Sequence, residues 1–353
     1  MEEKLIWKVS RAELKKIYRM FDKLTGTVEP SYRVLHFFYH GGLKIFGTDG
    51  TAKLLYLAGS FPPFNGIYSI PLNDLKVILH GRSDEEINFE FSGRNVNIFT
   101  ESEFLQVRNT QRSDLPFHIS EHFEIFSYTS LNTFRDALDF SSVVLEEPEN
   151  TCFVIFNNVL YSAGISHNIA CVAKVEEARV DRMLLGEVPY VTARHLVKSL
   201  GEVKQCEELA VGFNGDELSL NCNGVVYHVS VEPHIPRALP GLLRSLPDEG
   251  GEEKDLREFH AVLKKVYTFH PRGTVRVTQA RDSRNQWQIS VQVAAGLYVS
   301  RMEALGRLEG TLTVEVHRLR SALMRLGNKA RVSSVNRSLV FSSRSKYLFL
   351  AAR

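Results

Sequence analysis

The sequence predicts an α+β chain of three tandem, similarly built domains, each with two helices set against antiparallel sheets. Three observations carry this reading. The first is a stretch that recurs three times. Gly310 leads through Val314, Leu319 and Leu323 to Gly327; Gly66 leads through Ile70, Leu75 and Leu79 to Gly81; Gly186 leads through Val191, Leu196 and Leu200 to Gly201. In each copy a β-type residue is followed five positions later by Leu and four later by Leu again, and a Gly follows the short helix. A repeat of this length is a statement about architecture. The second is length: 353 residues divide into about 118 per copy, an ordinary domain size. The third is order, since each copy is preceded by a helix and strands, giving two similar halves per domain.

In the first domain, residues 1–118, Trp7 to Val9 reads as a strand. Ser10 is placed as an N-cap, with Glu13 completing a capping box. Leu14, Ile17, Tyr18 and Phe21 form one apolar stripe at helical spacing, with Lys15, Lys16, Arg19 and Lys23 mostly off it. Strands follow at Arg33 to Tyr39, Leu43 to Phe46 and Ala52 to Ala58, with a hairpin at His40-Gly41-Gly42. A short helix spans Pro71 to Leu79, and strands are expected at Ile87 to Phe91, Val96 to Phe99 and Phe104 to Val107. Asn109 to Ser120 reads as a linker.

The second domain, residues 119–247, opens with a strand at Phe123 to Phe126. Thr129 or Ser130 caps a helix that runs through Phe140. Strands follow at Thr151 to Phe156, Val159 to Ala163 and Ile169 to Val175, and later at Leu209 to Phe213, Leu218 to Cys222 and Val225 to Val231. Glu232 to Glu253, rich in Pro and Gly, reads as a second linker. The third domain, residues 254–353, begins with a helix over Leu256 to Phe269, its stripe being Phe259, Val262, Leu263 and Val266. Val275 to Thr278 and Trp287 to Val293 alternate as strands. Val332 to Phe341 reads as one strand-like run, followed by Lys346 to Leu350.

Composition is that of a soluble globular protein, with 44% hydrophobic and 24% charged residues. Cys152, Cys171, Cys206 and Cys222 show no C-x-x-C spacing and are expected to be small buried hydrophobes in a reducing compartment. The start lacks the pattern of a signal peptide, and no apolar run approaches a membrane helix, so a cytoplasmic location is expected. The net charge of +2 hides an asymmetry: +1 over residues 1–118, −12 over 121–253 and +13 from 254 onward. Such polarity suggests a polyanion partner, a head-to-tail partner, or both.

Catalytic chemistry is hard to find. There is no P-loop, G-x-G-x-x-G or G-x-S-x-G. His36 with His40, and His118 with His122, lie in a hairpin and a linker and present no helical metal face. Glu146, Glu147 and Glu149 read as a solvated loop, and Ser166-His167 as a turn without an acid partner. No enzyme activity, cofactor or metal is expected.

Short signatures along the chain resemble the bacterial DNA polymerase III beta subunit, the sliding clamp family. Leu43-Lys-Ile-Phe-Gly-Thr48-Asp49 resembles its L-x-L-x-x-T-D, and Asp114-Leu-Pro116 its D-F-P. Leu239-Pro240-Gly-Leu-Leu-Arg244-Ser-Leu246-Pro247 resembles F-P-D-Y-R-R-V-L-P, and the end from Tyr347 to Arg353 resembles Y-V-V-M-P-M-R-L. Where the family carries A-T-D-G-H-R-L-A, this chain has Gly164 to Cys171 without the polar core; at the end Leu350-Ala351-Ala352 replaces Met-Pro-Met.

The resemblance implies three clamp domains, paired head to tail by a second copy into a ring around double-stranded DNA held without sequence preference. It implies a DNA-facing set of Lys15, Lys16, Arg19, Lys23, Lys76, Arg135, Arg194, Lys198, Lys264, Lys265, Arg318, Arg320 and Arg325. It implies a pocket for polymerase and clamp-loader peptides, built from Ile165, His167, Ile169, Ala170, Pro240, Arg244, Leu348, Phe349 and Leu350. At the dimer seam it places Phe104 on one side and Val266 and Tyr267 on the other. The alternative reading is a clamp-fold paralogue that works as a protein scaffold without encircling DNA.

Overall fold

The computed structural model describes residues 5–352 apart from 28, 110–117, 121, 181–183, 205, 248–250, 284, 295 and 336. Asp114 to Pro116 and Arg353 therefore lie outside the described residues. An eight-strand pattern occurs three times along the chain. The first run is β1 (Leu5–Ser10), α1 (Arg11–Asp22), β2 (Val34–Tyr39), β3 (Leu43–Thr48), β4 (Ala52–Gly59), β5 (Ile67–Pro71), α2 (Leu72–Ile78), β6 (Glu86–Ser92), β7 (Asn95–Phe99) and β8 (Phe104–Arg108). The second is β9 (Glu124–Thr129), α3 (Leu131–Ser142), β10 (Asn150–Phe156), β11 (Val159–Ser166), β12 (Ile169–Glu177), β13 (Leu184–Pro189), α4 (Tyr190–Leu200), β14 (Leu209–Phe213), β15 (Glu217–Cys222) and β16 (Val225–Ser230). After α5 (Leu239–Arg244) the third is β17 (Glu252–Asp255), α6 (Arg257–Phe269), β18 (Thr274–Gln279), β19 (Gln286–Val293), β20 (Gly296–Glu303), β21 (Thr311–Glu315), α7 (Val316–Leu326), β22 (Lys329–Val335), β23 (Ser338–Ser343) and β24 (Lys346–Ala351).

These elements form two compact units, which divide the second repeat between them. Unit 1 is Met1–Arg135 with Arg194–Val231. It holds a four-stranded sheet, β1-β6-β7-β8, and an eight-stranded one, β5-β2-β3-β4-β16-β15-β14-β9. Unit 2 is Asp136–Ala193 with Glu232–Arg353, and holds β20-β19-β18-β21 and β13-β10-β11-β12-β24-β23-β22-β17. Each large sheet is two four-stranded halves from successive repeats. They join where β4 pairs antiparallel with β16, Tyr56 opposite Val225, and where β12 pairs with β24, Ile169 opposite Leu350.

In unit 1 the core forms because β1 turns Trp7 and Val9 inward while α1 turns in Leu14, Ile17 and Phe21. The Trp7 ring lies 5.0 Å from Phe89, and Phe89 5.8 Å from Phe37. Tyr18 is only half-buried, and Met20 takes the remaining place on the stripe. Ser10 caps α1, its Oγ accepting from Glu13 N at 3.1 Å. The Glu13 carboxylate accepts instead from Lys16 Nζ and the Tyr56 hydroxyl, so this box has one side only. In unit 2, Trp287 is fully buried against Phe259 and donates to Gly306 O at 3.1 Å. Gly327 ends α7 with φ +100°, a conformation glycine alone adopts without strain.

Several sequence expectations need correction. Val332 to Phe341 is not one run: β22 and β23 form a hairpin through it. The second linker contains α5 and β17, because Leu239, Leu242 and Leu243 fall at helical spacing and bury two of their side chains. Cys152 and Cys171 are buried free thiols as expected, but Cys206 and Cys222 are joined as a disulfide. No helix among the described residues is long and apolar enough to cross a membrane.

Candidate nucleic-acid and partner interfaces

The helices carry the basic residues, unevenly exposed. On α1, Arg19 is exposed, while Lys15, Lys16 and Lys23 are half-buried; Lys16 reaches Glu13 at 3.0 Å and Lys23 lies 3.7 Å from Asp22. Such surface pairs contribute little and give way to a stronger anion. Lys76 on α2 and Lys198 on α4 are exposed, and Arg194 is half-buried. Arg135 on α3 is also half-buried. In unit 2, Lys264 and Lys265 are exposed on α6, and the Arg320 guanidinium lies 4.7 Å from the Tyr267 ring centroid.

Two members of the expected DNA-facing set are held by carboxylates, Arg318 buried and Arg325 half-buried. Arg318 is 7% exposed. It donates to Glu315 at 2.7 Å, to Glu149 at 2.9 Å and to the Val144 carbonyl at 2.8 Å; it also bonds Ser166 and lies 3.3 Å from Glu146. Burial alone would lower its pKa, but the three carboxylates more than offset this and raise it. Arg325 donates to both oxygens of Asp139, at 2.5 and 3.2 Å. The surroundings of α7 explain the difference: Glu146 and Glu149 from the loop before β10 and Glu315 at the end of β21 face Arg318, and Asp139 on α3 faces Arg325. The Glu146–Glu149 loop is accordingly not a merely solvated one. His317 lies 2.8 Å from Glu146 and completes a three-ligand cluster with Glu315. Arg318 already holds two of those three groups, so the cluster has a cation built into it.

Some of the residues expected at a peptide pocket come together in unit 2, in a packed hydrophobic cluster. Successive strand residues face opposite sides. Ile165, Ala170 and Phe349 therefore share a face, and α5 lays Leu239 and Leu243 on it beside Cys152, Val154, Val172 and Val340. Leu348, Leu350 and Ile169 alternate to the other face and are buried there, apart from that cluster. Pro240 and Arg244 are exposed on α5, and His167 is exposed at the tip of the β11–β12 turn with φ +45°. Sequence reading missed the α5 leucines, although their spacing was visible. Gly164 has its own reason: a Cβ there would stand 2.0 Å from the Ser141 carbonyl oxygen.

Each unit also has a four-stranded sheet whose end strand is paired on one side only among the described residues. In unit 1 it is β8, and Phe104 on it is 67% exposed. In unit 2 it is β20, where Leu297 and Val299 are 62% and 45% exposed. Val266 is fully buried in α6 and cannot lie at a surface seam; Tyr267 lies under Arg320. The strand that was missed is β20, signalled only by Leu297-Tyr298-Val299 after Gly296.

No protein-family model matches the chain, and no curated protein sequence matches it. Solved structures do. A putative DNA polymerase III beta subunit from Eubacterium rectale superposes with a TM-score of 0.79 at 10% identity, over 98% of this chain and 99% of that one. The DNA polymerase III subunit beta of Pseudomonas aeruginosa gives 0.79 at 13% identity, over 99% and 100%. The beta subunit of Thermotoga maritima gives 0.78 at 13%, over 98% of each chain. The chain has the DNA polymerase III beta-subunit fold. The match spans the whole length, so the triple repeat is the beta-subunit architecture itself. Within it, Ser166 does have an acid partner, donating to Glu149 at 2.5 Å, but Arg318 holds the same carboxylate. The pair belongs to an ion cluster rather than to a nucleophile and its base.

Proposed function

We propose that two copies of this chain close into a ring around duplex DNA and slide on it as a processivity factor that tethers a polymerase in the cytoplasm. The observation that carries this is a missing joint. The repeats are joined by β4 to β16 and by β12 to β24. By position in the repeat, the next such pair is β20 with β8, and both are end strands. A head-to-tail second copy supplies each of these two strands with its partner and closes those two edges. The exposed Phe104, Leu297 and Val299 then become buried interface. Lys15, Lys16, Arg19, Lys23, Lys76, Arg135, Arg194, Lys198, Lys264, Lys265 and Arg320 remain to meet phosphates. Phosphate contacts carry no sequence information, which suits sliding. The α5 cluster, with Pro240 and Arg244 at its surface, is the proposed seat for polymerase and clamp-loader peptides.

The burial of Arg318 and the pairing of Arg325 with Asp139 favour the scaffold reading, because they thin the basic lining of the third repeat. Retention on circular DNA decides. A linked ring stays on a closed circle in high salt and leaves once the circle is cut, and Phe104→Asp abolishes both retention and the dimer. Equal release from closed and cut circles by a dimeric protein would refute encirclement and leave the scaffold.

A further inference from the structure

The two joints inside the chain obey one register. In each, both strands follow a tight turn. The turn before β4 is closed by Asp49 N donating to Ala52 O at 3.0 Å, and the turn before β16 by the pair Cys222 and Val225. Across the joint Ala52 stands opposite Val229, four residues beyond Val225. The turn before β12 is closed by Ser166 and Ile169, and the turn before β24 by Ser343 and Lys346. Ile169 stands opposite Leu350, again four residues beyond the turn.

The two end strands have the same starting points. Val293 pairs with Gly296 at the start of β20, and Thr100 N donates to Glu103 O at 2.9 Å just ahead of β8. The shared register therefore sets Gly296 of one copy opposite Val107 of the other. Three residues further along β20 it sets Val299 opposite Phe104, and next Ser300 opposite Glu103. The faces agree, which a shift by one residue would destroy. Phe104 and Val299 are both exposed, while Leu105 and Tyr298, the neighbouring opposite pair, are both half-buried.

Glu103 comes to this place already held. Its carboxylate accepts from Arg11 Nη2 at 2.7 Å. Arg11, the first residue of α1, is 1% exposed and also donates to Glu85 at 2.6 Å and to the Ile78 carbonyl at 2.7 Å. A Cβ on Gly81 would stand 2.7 Å from the Arg11 Cζ, so glycine lets the loop after α2 close on the guanidinium. The Glu103 side chain nevertheless stays 41% exposed.

We propose that Glu103, held from behind by Arg11, is a polar latch at the seam between two copies of this chain, accepting a hydrogen bond from the Ser300 hydroxyl of the second copy. This rests on the head-to-tail ring proposed above. Phe104 against Val299 supplies burial on the other face of the seam. The latch fixes the register, since a slip of two residues would set Glu103 beside Met302 or the Tyr298 ring instead of a hydroxyl.

Two measurements on the full chain test it. Phe104→Cys with Val299→Cys should give a covalent dimer in oxidised glutathione, because directly opposite residues lie within disulfide reach. Phe104→Cys with Leu297→Cys, or with Arg301→Cys, joins diagonal positions about 7–8 Å apart and should not. In sedimentation equilibrium, Ser300→Ala should weaken the dimer about tenfold per seam, the size of a charge-assisted hydrogen bond, and so about a hundredfold for a ring with two seams. Ser300→Thr keeps the hydroxyl and should hold the dimer. In a Glu103→Ala background, Ser300→Ala should add nothing. Cross-linking of a diagonal pair instead of the opposite one, or a dimer indifferent to Ser300→Ala, overturns the latch and leaves the ring standing. A chain that stays monomeric at every concentration overturns the ring, and the latch with it.

Discussion

Replacing Arg318 by Met separates its structural role from the DNA-facing one that its place on α7 suggests. The side chain is 8% exposed, and its partners Glu149, Glu315 and Glu146 are 26%, 40% and 52% exposed. Breaking a buried pair costs about 3–5 kcal/mol. Here the orphaned carboxylates can partly rehydrate, so a discounted cost of about 2 kcal/mol at pH 7 is expected. Met preserves much of the packing, so the loss is chiefly electrostatic. Its pH dependence is the sharper test. Glu146 has its pKa held below the ordinary carboxylate range: burial pushes it up, and Arg318 with His317 more than reverses this. Stability drawn from such a group is present above its unfolded pKa and is lost as pH falls through the depressed folded value. The wild-type advantage over Arg318→Met should therefore hold from pH 7 down to about pH 4.5, the ordinary glutamate value, and shrink below it, so that it is smaller at pH 3 than at pH 7. Urea unfolding followed by circular dichroism at both values measures it, and adding Glu149→Gln to Arg318→Met should recover part of the loss. A variant that unfolds like wild type at pH 7 but releases DNA more readily would refute the buried-cage account and restore Arg318 to the lining.

Three further outcomes follow from other buried groups. His228 is 5% exposed and its pKa is pushed down to about 4, by burial first and by Lys53 next, with Glu217 opposing. The unfolded chain takes up this proton below about pH 6.5 while the folded chain refuses it, so stability should fall by about 3 kcal/mol between pH 6.5 and 4; melting curves of His228→Phe should lack that slope, and parallel curves would be the contrary result. Lys53→Met leaves Glu217, 9% exposed, without its cation, and should cost about 3 kcal/mol in urea unfolding. The double variant with Glu217→Gln should regain most of it, and no recovery would contradict the pairing. Cys206 and Cys222 are 16 residues apart, and a loop of that size is worth about 3 kcal/mol in the chain-entropy account. Reductant should lower the melting temperature of wild type but not of Cys206→Ser; identical melts with and without reductant would count against the bond.

The repeat and most strands were legible because alternation and the Leu–Leu–Gly pattern are local signals. What stayed hidden was long-range. Arg318 reads as one more base on a basic helix until Glu146 and Glu149, some 170 residues earlier, are brought against it. Leu348 and Phe349 look alike in sequence, and only the register of β24 against β12 sends one to α5 and the other to the opposite face. Strand β20 lacks a strong signal because Leu297 and Val299 stand on its exposed face and Ser300 on its covered one, so hydrophobicity does not follow the burial alternation. The cysteine pair was missed for the same reason, since nothing local shows that the loop after α4 returns to the end of β15.

The joint between β4 and β16 also sets a schedule. Tyr56 pairs with Val225, a separation of 225 − 56 = 169 residues. At roughly 5–20 residues per second of synthesis, the edge of β4 waits about 10–30 s for its neighbour to be made. An open strand edge for that long invites pairing with another nascent chain. Lys53 lies in that strand, and a charge there discourages such pairing in the interval. It later finds Glu217, on the incoming hairpin that closes the edge. One side chain thus guards the half-made protein and then fastens the finished one.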